Sequence, residues 1–170
     1  FSSVNGIPRR NIARLLPDGT LDPVWNPSAN GAVHALAMGS NGAVYAGGSF
    51  NSIGGQPRSH IARLAGSGAG AADTSWNPSA DSDVYALAVD GGAVYAGGWF
   101  ISIGGHSRSH IAMLSGSGSG SADTSWNPSA DSAVCAQGVD CGAVYAGGWL
   151  SSKGGQSRSH NAKQTGRGTG

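Results

Sequence analysis

Apolar residues in this chain fall into short blocks, among them VHALAM, AVYAGG, NIARL and VYALAV, divided by stretches rich in glycine and serine. In VYALAVDGGAVYAGGWF (residues 84–100), Val84, Ala86 and Ala88 point one way and Tyr85, Leu87 and Val89 the other. This is the pattern of a strand covered on both faces. Asp90-Gly91-Gly92 is a hairpin signal, and AVYAGGW (93–99) is the returning strand. HIAML (110–114) predicts a third strand and DTSW (123–126) a short fourth. No block reaches the roughly ten residues of 3.6-residue periodicity that a helix requires, so none is expected.

The same order of blocks recurs. Phe1, Phe50, Phe100 and Leu150 open matching segments, FSSVNGIPRRNIARL, FNSIGGQPRSHIARL, FISIGGHSRSHIAML and LSSKGGQSRSHNAKQ, at steps of 49, 50 and 50. DTSWNPSAD occurs identically at 73–81 and 123–131. One unit of about fifty residues has been copied, which divides a single repeat domain (1–170) into units 1–49, 50–99 and 100–149 and a partial, degenerate unit 150–170. Four antiparallel strands per unit, apolar on both faces, match the blade of a β-propeller, so the expected fold is all-β with three blades' worth of strands. Asn-Pro after each Trp turns the same corner in each blade, because Pro fixes its own φ and pushes its predecessor out of helical space.

These motifs carry a resemblance. The run from SIGG through Arg, IARL, the Asp-Trp segment and WNP to VYALAVDGGAVYAGG resembles the delta-60 repeats of large bacterial β-propeller proteins, often secreted or surface-linked. The resemblance covers nearly all of the chain, weakening after Val134. It implies a propeller fold and an extracellular or cell-surface location, and little about function. The last copy departs from the pattern, with Gln137 in the place of Leu87, Lys153 in that of Ile103, and Asn161, Lys163 and Gln164 in a strand that elsewhere reads IARL.

Composition sharpens this picture by exclusion. Ten Lys and Arg stand against nine Asp and Glu, for a net charge of +1, so no basic footprint points to nucleic acid or an anionic membrane. No apolar run approaches the ~18 residues of a membrane span, and a soluble chain without membrane insertion is expected. The chain starts at Phe1 without an initiator Met or a charged-then-apolar leader; any targeting segment is expected to have been removed or to lie outside this stretch. Cys135 and Cys141 lie six extended steps, about 20 Å, apart. That is beyond disulfide reach, and free thiols are expected.

Labelled A to D from the inside, the strands run C, D, then ABCD twice, then A, B and a degraded C. The opening C and D can complete the final A and B, giving three blades, whereas propellers typically have about four to eight. Two copies sharing one ring of six blades, a homodimer, are therefore expected, because open edges would expose apolar faces and unpaired strand groups. The other possibility is a fragment of a larger propeller protein.

Candidate chemistry lies on the rim formed by the DA and BC loops. The opposite CD loops, AGSGAGAAD (65–73) and SGSGSGSAD (115–123), look like flexible, inert connectors. Arg9, Arg58, Arg108 and Arg158 recur in every unit, and His60, His110 and His160 in three, with Asn11 in the fourth. Such a ring could receive carboxylates or sugar hydroxyls. Alternatively each Arg pairs with Asp81 or Asp131 of a neighbouring blade and each His bonds a turn carbonyl. Residues that break the repeat are His106, Ser107, Asp83, and Trp99 and Trp149 where the first unit has Ser49. Trp99, His106, Arg108, Arg58 and Trp149 are the expected ligand-binding set, for a carbohydrate or a peptide. Ser109, His110 and Asp83 supply the nucleophile, base and carboxylate of acyl transfer, which makes a carboxylic ester hydrolase the competing reading. GHSRS, however, lacks the last Gly and the strand-turn-helix setting of a nucleophile elbow.

No metal or cofactor is expected. His106 and His110 are four apart on a loop rather than a helix, Asn77, Asp81 and Asp83 lack calcium-loop spacing, and no helix follows Gly97-Gly98 or Gly104-Gly105 to form a phosphate cradle. These glycines are expected at bulges and close-packing points between blades. The sequence thus predicts a propeller module that binds or scaffolds through one rim.

Overall fold

A computed structural model describes residues 1–153, 156–157 and 161–165, with side chains as far as residue 151. All regular structure there is β. A short hairpin, β1 (Ser3–Val4) and β2 (Ile7–Pro8), opens the chain. The first sheet contains β3 (Val33–Met38), β4 (Val44–Gly48) and, beyond the hairpin β5 (Ser52–Ile53) and β6 (Gln56–Pro57), β7 (Ile61–Leu64). The second repeats it with β8 (Val84–Asp90), β9 (Ala93–Gly98), the hairpin β10 (Ser102–Ile103) and β11 (His106–Ser107), and β12 (Ile111–Ser115). The third has β13 (Val134–Asp140), β14 (Ala143–Gly148), the hairpin β15 (Ser152–Lys153) and β16 (Gln156–Ser157), and β17 (Asn161–Thr165).

Each three-stranded sheet is antiparallel with its middle strand second in sequence, and β8 packs between β3 and β13. Blade faces interlock through small residues. Gly97 sits so close to the next blade that a Cβ would come within 2.7 Å of Val134 Cγ1. Gly98 faces its own sheet, where a Cβ would meet the Asp83 carbonyl oxygen at 2.1 Å. The accompanying bulge lies in the facing strand, between Val84 and Ala86. Gly104-Gly105 is no bulge: both residues have positive φ and turn the β10–β11 hairpin, where a plain loop was expected.

The fourth strand differs from expectation. Ala72 and Ala122 each make one isolated bridge, to Leu64 and Leu114, and the chain then bends. The cause is the Asp that follows. Asp73 Oδ1 accepts from the amides of Ser75 (2.9 Å) and Trp76 (3.3 Å), and Asp123 Oδ1 does the same for Ser125 and Trp126. Amides held in such a turn are lost to a strand ladder. In the opening unit Asp22 holds Val24 and Trp25 in the same way. The Trp25 amide first, and then Arg14, hold the Asp22 carboxyl down at about 2.

The bend delivers Trp to the next blade. Trp76 is fully buried against Tyr45 of its own blade and Val94, Phe100 and Leu114 of the following one. Its Nε1 donates to the Ser115 carbonyl at 2.8 Å, as Trp25 Nε1 donates to Ala65 at 2.9 Å. The Gly/Ser connectors are correspondingly not free. Gly120 lies against the Trp76 ring and Gly70 against Trp25, too close for a side chain, and Asn77 N donates to the Ser119 carbonyl.

The opening segment does not complete the last sheet. Ile12 and Trp25 pack onto the first sheet with Phe50 and Leu64, while the edge of β14 is taken by β17. Cys135 and Cys141 are exposed free thiols. Asp140 hydrogen-bonds the Cys141 thiol and pushes its pKa up. Cys141 stands at φ +47 in the tight β13–β14 turn, where the preceding blade has Gly91 at φ +52. Cys141→Gly is therefore expected to stabilise the fold by a net ~0.5 kcal/mol, since relief of left-handed strain exceeds the added freedom of the unfolded chain. Urea unfolding of the two proteins checks this, and a less stable variant would refute it.

Candidate functional site

The rim where first strands begin and second strands end gathers the polar and aromatic side chains that break the repeat. His34, Tyr85 and Cys135 stand second in the first strands, and Ser49, Trp99 and Trp149 directly follow the second strands. His34 Nε2 lies 2.8 Å from Ser49 Oγ, and its ring is 5.3 Å from that of Tyr85 in the next blade. The Tyr85 hydroxyl donates to Asp83 Oδ2 at 3.4 Å. Burial first, and the Asp83 charge second, raise the pKa of this phenol.

Asp83 Oδ1 is 3.3 Å from His60 Nδ1, which also lies 3.2 Å from the Gly48 carbonyl. Two acceptors facing one ring nitrogen assign the hydrogen to Nδ1. Asp83 thus pairs with His60 and not with His110, so the Ser109, His110, Asp83 arrangement is not assembled. The reason is the order of blades: β8, which Asp83 directly precedes, packs on β3 and β4 of the blade before it, and His60 is held at the end of β4, where Gly48 N donates to its carbonyl at 2.9 Å. The residue in the next blade at the Asp83 position is Ala133, which gives His110 no carboxylate there. Ser109 lends its carbonyl to Ala130 N at 3.0 Å.

His110 instead faces Trp99, with ring centroids 5.5 Å apart. Trp99 meets Trp149 of the next blade edge to face, at 6.3 Å and 74°. These two indoles are 47% and 68% exposed, each directly after the second strand of its sheet. His106 is exposed on β11, opposite Ile103.

Of the recurring Arg residues, Arg9, Arg58 and Arg108 are buried in the fold. Arg58 donates to the carbonyls of Pro57 (2.6 Å) and Asp73 (2.5 Å), and Arg108 to those of Ser107 and Asp123 (both 2.6 Å). Arg9 does the same with Pro8 and Asp22. Each guanidinium ties a short hairpin to the bend before Trp, so the expected pairing with Asp81 or Asp131 is corrected. Asp81 Oδ1 instead accepts from the amides of Ile101 and Ser102 in the next blade, both at 3.0 Å, and Asp131 Oδ1 accepts from Ser151 N at 2.9 Å. Recurrence of His has a backbone cause as well. Asn11, His60 and His110 adopt φ of 60, 64 and 65, a left-handed region in which Asn and His are enriched. Arg158 and His160 lie outside the described residues.

Sequence reasoning passed over His34, Ser49 and Tyr85 as members of the rim cluster. A signal existed: the second position of the first strand changes from His to Tyr to Cys while its neighbours stay constant. On the opposite rim a shallow recess is lined by Asp90, Tyr95, Met113, Ser115, Ser121 and Asp123. In the preceding blade Arg63 stands where Met113 does and pairs with Asp73 at 3.3 Å.

No helix among the described residues is long and apolar enough to cross a membrane. No curated protein gives a significant match to the chain. Residues 1–23 and 39–75 match the family model described as Domain of unknown function (DUF5122) beta-propeller. The delta-60 repeat is the same kind of bacterial propeller blade. The matched segments cover the opening segment and, in the first full blade, the stretch from β4 to the bend before Trp76, without β3, and the later blades repeat this pattern. Over the matched residues the chain is similar to the DUF5122 beta-propeller family, and its all-β sheets, recurring about every fifty residues, make up a propeller-type fold.

Proposed function

We propose that the module binds carbohydrate on this rim, with Trp99 and Trp149 as the stacking surface. The observation that carries the reading is the pair of indoles, largely exposed and held edge to face directly after the second strands of their sheets, where the first blade has only Ser49. A large flat ring with a polar handle supplies contact area at low entropic cost, which suits the apolar face of a sugar. Ser49, His34, Tyr85, Asp83 and His60 offer uncharged and charged hydrogen-bonding groups along the same rim, as a hydroxyl-rich ligand requires.

The test is titration of the protein with β-linked and α-linked soluble oligosaccharides, followed by tryptophan fluorescence and calorimetry. A responsive glycan is expected to lose at least about tenfold in affinity with Trp99→Ala, at unchanged far-ultraviolet circular dichroism. A protein that binds no glycan, or a Trp99→Ala variant that binds as well as the parent, would overturn the reading.

A further inference from the structure

Asn11, His60 and His110 occupy the same left-handed corner in successive units, and the first two have partners for their side chains. Asn11 Nδ2 donates to the Ala29 carbonyl at 3.1 Å. His60 Nδ1 has the Asp83 carboxylate at 3.3 Å and the Gly48 carbonyl at 3.2 Å. His110 is set in the same backbone: its φ is 65 against 64 at His60, and Gly98 N donates to its carbonyl at 3.0 Å as Gly48 N does to that of His60 at 2.9 Å. Yet His110 Nδ1 is buried and meets no hydrogen-bonding group of the protein among the described residues. A buried polar atom in that condition is costly, and in a native fold it calls for an explanation.

The cause is one change in the repeat: Ala133 stands where Asp83 does. The two places agree by hydrogen bonding as well, since Trp99 N donates to the Asp83 carbonyl at 2.9 Å and Trp149 N to the Ala133 carbonyl at 3.1 Å. Both indoles adjoin the unpartnered imidazole. Trp99 faces it with ring centroids 5.5 Å apart, and Trp149 is bonded through its backbone to the residue that lacks the carboxylate. The complete joint has Ser49 and Trp99 at the corresponding places, so the lost carboxylate and the second indole occur together.

We propose that the carbohydrate bound on this rim is acidic: a hexuronic acid unit seated on the indole pair, its carboxylate accepting from His110 Nδ1 as Asp83 accepts from His60. The inference rests on the carbohydrate reading above and narrows it. Such a sugar carries its carboxylate on the ring itself, so one unit offers an apolar face to an indole and an anion to the imidazole beside it. The carboxylates already on this rim do not compete for the nitrogen. Asp83 is engaged by His60, and Asp81 and Asp131 by the amides of Ile101, Ser102 and Ser151. Because Nδ1 lies below the surface, a covering side chain has to swing aside. The adjoining indoles are exposed enough to change rotamer within nanoseconds, and binding is expected to alter their fluorescence.

Titration with oligogalacturonate and with alginate oligomers, each beside its carboxyl-reduced neutral counterpart, tests this. An acidic glycan is expected to bind at least about tenfold more tightly than its neutral form, and to lose that advantage in Ala133→Asp, which gives His110 the carboxylate that His60 has. Ala133 is buried, so His110→Asn serves beside it: Asn11 already holds this corner at φ 60 and turns its amide to a backbone carbonyl. Both variants should bind the neutral glycan as the parent does and keep its far-ultraviolet circular dichroism. Equal affinity for acidic and neutral forms, or an acidic preference that survives both substitutions, would overturn the proposal and leave sugar binding on the indoles intact. A protein that binds none of these but binds another neutral oligosaccharide through Trp99 would do the same, whereas one that binds no glycan at all would take the carbohydrate reading with it.

Discussion

Trp76→Ala is expected to destabilise the protein by about 3–5 kcal/mol, enough to unfold much of a marginal domain. Three separate losses combine at this position. The indole is fully buried between the first and second blades, so its removal leaves a cavity at a joint where neighbouring glycines are already in contact and cannot collapse further. Its edge-to-face contact with Tyr45, at 5.1 Å, disappears. The Ser115 carbonyl loses the Nε1 donor 2.8 Å away. Trp76→Phe separates the terms, since it keeps most of the apolar bulk while leaving that carbonyl without its donor, and should cost about 1–3 kcal/mol. Urea unfolding gives both values. A local readout accompanies them: the 115–123 connector rests on this ring, so proteolysis there should accelerate in the Ala variant. An Ala variant within about 1 kcal/mol of the parent would mean that the blade joint does not depend on Trp76.

Much of this fold was legible because it is built from local chemistry. Asp90-Gly91-Gly92 turns a two-residue hairpin, VYALAV is covered on both faces, and the fifty-residue period is the spacing of blades. What could not be read is what passes between repeats. DTSW looks like a strand by composition, but the Asp73 side chain captures the amides that a ladder would use, so Trp76 leaves its own sheet for the next one. The connector AGSGAGAAD looks flexible for the same reason that it packs: Gly70 has no side chain to keep it off Trp25.

The candidate site shows the same division. Trp99 and Trp149 were identifiable because they break the repeat, and their exposure keeps them as candidates. Asp83 was identifiable too, but its partner was assigned within its own blade, to His110, when the geometry joins it to His60 of the blade before. Neighbours across a blade joint are about twenty to fifty residues apart in sequence, and no local pattern encodes which of several recurring His residues will face a given carboxylate. Recurrence itself proved ambiguous. Arg in every unit fits a ligand-binding ring and an internal tether equally well until burial separates them.

Arg108 decides between those two roles by experiment. As a tether, its guanidinium gives two charge-assisted bonds, both 2.6 Å, to the carbonyls of Ser107 and Asp123, and thereby fixes the β10–β11 hairpin to the bend that carries Trp126. Arg108→Met keeps the length and the apolar stem, removes both bonds, and leaves two acceptors in a buried setting. The loss is expected to be about 3 kcal/mol, reduced from the sum of two such bonds because the buried charge and its desolvation cost go with the side chain. Arg108→Lys should recover less than half of it, since one ammonium on a flexible stem does not reproduce the planar fork that reaches two carbonyls at once. Chemical denaturation measures both. If Arg108 served mainly to receive a ligand, Met would leave unfolding unchanged and abolish binding; a tether predicts the reverse order, with stability lost first and binding by Trp99 falling only as the rim beside it loosens.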